Sequence, residues 1–228
     1  MPSDGPRREG RREEGSRRRR ARRGAHRPEA GSDRDGWLTQ VVHYGFSQVV
    51  VLSTPLVWVV YRTTADAGTV RTAAVVGCLV AAVVVGTLRD GRVDAGPPWP
   101  TVTARRLGVG DGYRELVGRV ASFSAAVGLA VFCGLVVADG GGSAVAVALV
   151  AAVVAALVVG SLPVLAGHGR RGTAVRGALH TGGLWAVADW AGLFAPAGVD
   201  ATVVGCLLVV AVCALVDLRP AVRREAGT

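Results

Sequence analysis

The chain has 228 residues, of which 50% are hydrophobic and only 5% aromatic, and its mean hydropathy is +0.40. It contains no lysine, so all 26 basic residues are Arg. The lack of lysine excludes a Walker A phosphate loop, a pyridoxal or retinal Schiff base and a lysine nucleophile. A net charge of +9 would suit nucleic acid as a partner, but the uneven placement of that charge argues against it.

The N-terminal segment, residues 1–36, is strongly charged and poor in apolar side chains. It carries 12 Arg and seven acidic residues among many Gly, Ser and Pro. Such a segment cannot bury enough surface to offset its ordering entropy, so we expect a disordered basic cytoplasmic tail. Its arginines could contact anionic lipid or RNA, and we favour a solvated tail that acts as a topology signal.

From Trp37 onward, long apolar runs alternate with short polar joints. A bilayer core of about 30 Å needs roughly 20 helical residues. In lipid, only helices satisfy their own backbone hydrogen bonds over such runs, so the pattern predicts an all-α, multi-pass transmembrane helical bundle over 37–218. A C-terminal cytoplasmic tail, 219–228, follows. The six predicted spans are 38–61, 72–88, 119–138, 144–166, 173–193 and 201–218.

The distribution of Arg predicts the orientation of the bundle. With six spans and a cytoplasmic N-terminus, and with the first turns of the third and fifth spans counted as cytoplasmic, 24 of the 26 Arg lie in cytoplasmic pieces, and only Arg62 and Arg71 lie outside. By the positive-inside rule, this asymmetry places both termini in the cytoplasm of a cell-membrane protein. The fifth span is the least apolar, but without it the basic C-terminus would lie outside. The Ala-, Val- and Gly-rich composition suggests a GC-rich prokaryotic gene.

Small residues four positions apart predict where helices pack closely. Such a ladder runs from Gly118 to Ala138 in the third span and from Ala144 to Gly160 in the fourth. We therefore expect these spans to be tightly packed antiparallel neighbours. Similar outer joints and recurring segments such as LVAAVV also allow three tandem helical hairpins, although this composition produces such matches by chance.

Four polar side chains within the spans are candidate site residues, because intramembrane polar groups are costly. His43 and His180 lie near the cytoplasmic level and could ligate a haem or a metal. No close His/Cys spacing supports that interpretation, so we favour interfacial anchoring and predict neither cofactor nor metal. Asp189, between Trp185 and Trp190, is either a proton or cation site or an interfacial carboxylate.

The first span is interrupted by polar residues, among them Gln48, the fourth candidate. Pro55 cannot donate a hydrogen bond to the carbonyl of Val51 and should kink the helix. The kink could open a polar cavity, or the hydroxyls of Ser53 and Thr54 could satisfy the freed backbone. The four Cys all fall within spans and form no Cys-x-x-Cys pair, so we expect small buried hydrophobes.

The sequence shows no catalytic constellation and favours a non-enzymatic membrane protein, structural or an assembly partner, of unknown molecular activity. The bilayer is the one partner that it implies, and the oligomeric state stays open. One alternative is a small transporter or channel component that uses Asp189 and the kinked first helix. Another is a haem- or metal-binding membrane protein through His43 and His180. The alternatives differ in whether the polar groups converge on one cavity.

Overall fold

A computed structural model describes residues 33–62, 66–93, 111–167, 169–194 and 200–225. The chain divides into two units, Met1–Asp35 and Gly36–Thr228. Only three residues of the first unit, those that begin a helix, are described, so most of the predicted disordered tail lies outside the described residues. Within the described ranges the chain is helical and contains no strand, which confirms the all-α prediction there.

The helices follow the predicted spans closely, and several extend beyond them at their polar ends. The described residues form α1 (Asp33–Thr39), a π-helical stretch (Gln40–Phe46), α2 (Ser47–Leu52), α3 (Thr54–Arg62), α4 (Ala67–Asp90), α5 (Asp111–Asp139), α6 (Ala144–Gly167), α7 (Gly169–Trp190) and α8 (Ala201–Glu225).

Several of these helices have the length and hydropathy that are typical of membrane-spanning helices. Four helical segments of the described residues are long and apolar enough to cross a bilayer: Ala67–Asp90, Leu116–Asp139, Ala144–Leu165 and Ala201–Leu218. The bent pair Gly36–Leu52 and Thr54–Arg62 makes a fifth when it is taken as one span. Helix α7 is not among them, since several Arg, Gly and His residues interrupt its apolar sequence. Six spans therefore stay a prediction.

The kink predicted in the first span is confirmed. The helix breaks at Ser53, and the segments on either side are bent by 60° relative to each other. The Ser53 hydroxyl donates a hydrogen bond to the carbonyl of Val49 at 2.5 Å, and the Thr54 hydroxyl donates to that of Val50 at 3.0 Å. The carbonyl that Pro55 leaves without its usual donor is that of Val51, and it accepts from the backbone N–H of Ser53 instead. The two hydroxyls therefore bond neighbouring carbonyls and not the freed one that the second interpretation named.

Glycine permits a close crossing between the π-helical stretch and α4. A Cβ at Gly86 of α4 would lie 2.6 Å from Cα and 2.9 Å from N of Val41. One turn away, a side chain at Gly45 would collide with the backbone of Ala82. Because both helices lack a side chain at the crossing, their backbones come into direct contact.

Helix α5 lies at the centre of the bundle and contacts α2, α3, α4, α6, α7 and α8. The residues of its predicted small-residue ladder pack against several helices. Gly134 lies between Ala73 of α4 and Val147 of α6, whereas Ser122 faces His180 of α7. The predicted pairing of α5 with α6 is present as the most extensive helix contact.

The ladder predicted for the fourth span is wrong in register. Ala144 is exposed, and the later ladder positions up to Gly160 are only half-buried. The buried row is instead Val147, Ala151, Ala155 and Val159. The predicted row holds the smallest side chains of α6, whereas the row that is buried contains two Val, so small size does not decide which face packs. The contact row is set by α4 and α5, between which α6 packs.

Helices α5 and α7 end in the same way. Gly141 and Gly192 adopt left-handed conformations with φ of 81° and 78°. Their N–H groups donate to carbonyls three residues earlier, and those of the following residues donate to carbonyls five residues earlier. This is a Schellman motif, in which glycine avoids the strain that a Cβ would impose. The shared ending is compatible with repeated hairpins, which stay a prediction.

Candidate functional site

The structure places the two candidate histidines apart. His43 is exposed on the π-helical stretch, whereas His180 of α7 is only 3% exposed. The π-helical stretch packs on α2 and α4, and α7 packs on α5, α6 and α8. The two imidazoles therefore do not share a ligand site. In the part of the chain that the structure describes, no group of three His, Cys, Asp or Glu side chains could hold a metal ion.

The other two candidates also differ in their surroundings. Asp189 is exposed near the end of α7 and does not face the interior of the bundle. Gln48 is half-buried, and its Oε1 accepts a hydrogen bond from Nη1 of Arg119 at 3.3 Å. Arg119 belongs to α5 and is itself only 7% exposed. Gln48 thus joins a buried charged group, and Asp189 does not.

Gln48 and His180 belong to a larger group of polar side chains, which we call the polar cluster. It lies in the half of the bundle opposite the 140–143 joint and brings together residues of α2, α5, α7 and α8. Intramembrane charges of opposite sign are expected to pair in this way. The members of the polar cluster are Gln48, Arg119, Ser122, Arg176, His180 and Asp217.

The charged pair of the polar cluster joins α7 to α8. Nη1 of Arg176 lies 3.4 Å from both carboxylate oxygens of Asp217. The Asp217 side chain is 12% exposed and the Arg176 side chain 26%. The carboxylate rests on Gly118 of α5, where a Cβ would collide with it. The missing side chain of Gly118 therefore creates the room for Asp217 between the helices.

His180 lies one helical turn from Arg176 and faces α5. Its Nε2 lies 3.3 Å from Oγ of Ser122. Close packing holds the ring there, because a Cβ at Gly183 would lie only 2.6 Å from Cα of Ala125. Within the described residues, Nδ1 of His180, Nε of Arg176 and Oδ2 of Asp217 are buried without a hydrogen-bond partner. The polar cluster is thus only partly satisfied, a state that structural networks normally avoid.

Most of this cluster is not among the residues that the sequence singles out. The sequence predicts Gln48 and His180 as candidates, but not Arg119, Ser122, Arg176 or Asp217. Opposite charges placed at the same predicted membrane level on neighbouring helices were a usable signal. Helix contacts decide which charges meet, and no local pattern contains them.

A groove lies beside the break in the first helix. It has a volume of about 720 Å³ and runs between α3 and α8, with Val120 of α5 among its lining residues. Pro55 and Trp58 lie on one side, and Cys206 and Cys213 on the other. The lining is mostly apolar, so the kink does not form the polar cavity that one interpretation expected. The four Cys are free and half-buried rather than fully buried.

Aromatic and Arg side chains pair near both ends of the bundle. Near the polar cluster, the Arg89 guanidinium lies 3.5 Å from the centroid of the Tyr44 ring. At the opposite end, Arg62 lies 5.8 Å from the Trp58 ring and forms a 2.9 Å ion pair with Asp200. Such belts are typical of membrane–water interfaces.

Asp200 precedes α8 and caps it. Its Oδ1 accepts hydrogen bonds from the backbone N–H of Thr202 at 2.8 Å and from the Thr202 hydroxyl at 2.7 Å. These two hydrogen bonds, with the nearby Arg62, hold the pKa of the Asp200 carboxyl below its usual value. An N-terminal carboxylate of this kind stabilises the first turn of a helix.

The described residues thus form a helical bundle in which several helices are apolar and long enough to be consistent with a membrane location. The chain belongs to a family described as a domain of unknown function, DUF8215, which matches residues 32–169. The match covers more than half of the chain, from the broken first helix through α6. It contains Gln48, Arg119 and Ser122, whereas Arg176, His180 and Asp217 lie beyond it. No curated protein and no solved structure matches the chain.

Proposed function

We propose that the chain is a six-span, non-enzymatic protein of the cell membrane with both termini in the cytoplasm. The broken helix is the first span, α7 the fifth and α8 the sixth. The support is that 22 of the 26 Arg lie in the proposed cytoplasmic tails and joints, whereas two, Arg62 and Arg71, lie in the outer joints. The remaining two, Arg119 and Arg176, lie at the cytoplasmic ends of their spans, where Arg119 is buried and Arg176 is half-buried.

We further propose that the protein is a small transporter component and that the polar cluster is its charged centre. One observation carries this proposal: the Arg176–Asp217 ion pair of α7 and α8 lies beside the buried His180, and the hydrogen bonds of these three residues are incomplete. Intramembrane charges that face the bundle interior mark ion pathways and proton relays. Asp217 thereby replaces Asp189 as the carboxylate expected to act, because Asp189 is exposed.

A purely structural ion pair is the competing explanation. A pair that serves only stability is expected to have short, well-aligned hydrogen bonds that compensate its desolvation. Here Nη1 of Arg176 lies 3.4 Å from each carboxylate oxygen of Asp217, and Oδ2 of Asp217 has no hydrogen-bond partner among the described residues. A loosely held pair can exchange partners with a passing ion, which a transporter component requires.

Ion entry into vesicles tests this function. The full chain is reconstituted into phosphatidylcholine vesicles, and a potassium diffusion potential with valinomycin drives cation entry. Pyranine in the lumen reports protons, and a sodium-sensitive dye reports sodium. We expect entry of at least one of these ions above protein-free vesicles, and at least a tenfold loss with Asp217→Asn.

Asp189→Asn is the matched control, because it makes the same chemical change at an exposed site in the same membrane protein. It should leave ion entry within twofold of the unchanged protein. No entry of either ion, or equal losses in the two variants, would contradict a transport role for the polar cluster. Anionic lipid contact by the Arg-rich tail is a separate proposal, tested by comparing binding to vesicles with and without phosphatidylserine.

A further inference from the structure

A small cavity lies against the polar cluster, between α3, α5, α7 and α8. Its volume is about 10 Å³, close to the minimum that a single water molecule needs. Apolar side chains such as Leu56, Val187 and Leu207 form most of its lining. Only Ser124 and His180 bring polar side-chain atoms to it. Ser124 and His180 are thus the two polar residues of a lining that is otherwise apolar.

Both polar residues of this cavity are deeply buried. Ser124 is 2% exposed and His180 3%. In the described part of the chain, neither Oγ of Ser124 nor Nδ1 of His180 has a hydrogen-bond partner. Two buried polar atoms without partners are costly, and a water molecule between them would serve both. A hydroxyl and an imidazole nitrogen can each donate or accept, so they suit such a water.

We propose that this cavity binds one water molecule and that His180 exchanges a proton with it. When Nε2–H of His180 donates to Oγ of Ser122, Nδ1 is left with a lone pair that has no partner among the described residues, and we assign the water to it. A proton delivered by the water then adds to Nδ1 and converts the neutral imidazole to imidazolium, and its return to water reverses the step. The inference rests on the proposed function, and it identifies the proton as the ion that the polar cluster handles.

The charged groups around His180 fit a site that holds a proton transiently. Asp217 approaches from α8, and its carboxylate stabilises the imidazolium. Arg176, one turn away on α7 itself, opposes it. Arg119 of α5 donates to Gln48 of α2, and helix α6, the remaining neighbour, carries no charged side chain. Charges of both signs thus lie beside the imidazole, as is expected of a group that gains and loses a proton.

Nuclear magnetic resonance of the full chain in phosphatidylcholine nanodiscs tests the site directly. The protein is labelled with ¹⁵N-histidine, and the His180 signals are those lost in His180→Gln. As the pH falls from 8 to 5, the range in which imidazole usually titrates, we expect the His180 ring to change from neutral to protonated. We also expect magnetisation transfer from water to the ring, weakened at least threefold by Ser124→Ala. A ring that stays in one protonation state, or one without water transfer, would overturn the proposal.

Vesicle flux separates this inference from the proposed function. We expect proton entry to fall at least tenfold with His180→Gln and to persist with His43→Gln, the same change at an exposed position. If the vesicles carry sodium but no protons, the transporter proposal stands and the proton site is wrong. If His180 titrates and contacts water while the vesicles carry no ion, the transporter proposal fails and the water–proton site stands.

Discussion

The glycine crossing between the π-helical stretch and α4 makes a quantitative prediction about packing. In Gly86→Ala the new Cβ would lie 2.6 Å from Cα of Val41, whereas carbon atoms prefer about 3.5–4.0 Å. One backbone must therefore move by about 1 Å. Overpacking of this kind typically costs about 1–3 kcal/mol. Alanine regains about 1 kcal/mol of helix propensity, so we expect a net loss of up to about 2 kcal/mol.

Gly205→Ala is the control, because nothing lies within 4 Å of the Cβ position at Gly205 of α8. Only the propensity term applies there, so this variant should be equal to the unchanged protein or more stable by up to about 1 kcal/mol. Thermal unfolding of the full chain in one detergent measures both variants. At about 2–4 °C per kcal/mol for a chain of this size, they should differ by several degrees. If Gly86→Ala melts at or above Gly205→Ala, the crossing is not as close as described.

Two further predictions concern charges. Because hydrogen bonds from Thr202 lower the pKa of Asp200, its stabilising effect is present above the carboxyl's unfolded-state pKa and is lost as pH falls through the lower folded-state value. Unfolding followed from pH 6 down to pH 2 should show a smaller acid-induced loss of stability for Asp200→Asn than for the unchanged chain. Removing either partner of the Arg176–Asp217 pair, by Arg176→Gln or Asp217→Asn, should destabilise the protein, and the double variant should lose less than the two losses added. A double-mutant cycle in detergent measures this coupling, and additive losses would show that the pair does not interact.

Much of the fold could be predicted because membrane helices have a strong sequence signal. Apolar runs bounded by Arg and turn residues predicted all six helical regions, and Pro55 predicted the break in the first. Each depends on local chemistry, either the hydropathy of about 20 residues or one missing N–H donor. Local chemistry did not predict the contact row of α6, because the row with the smallest residues is not the one that faces α4 and α5.

The candidate site was harder to predict, because it is made by contacts between distant segments. His180 was identified by its polarity within a span, but its partner Ser122 precedes it by 58 residues. Asp217 looked like the polar end of the last helix, and only the packing of α8 on Gly118 shows it to be buried. Conversely, Asp189 was conspicuous in the sequence and proved to be exposed, since a polar residue near a helix end can face either way.

Arg176 and His180 lie within the bilayer beside Asp217 only if α7 crosses the membrane. Reporter fusions after Gly141, Gly198 and Glu225, in the full chain or in chains ended at those points, measure this directly. We predict that the reporter is external after Gly141 and Gly198 and internal after Glu225. A reporter that is internal after Gly198 and external after Glu225 would show that α7 does not cross, and would contradict both the six-span topology and a polar cluster within the membrane.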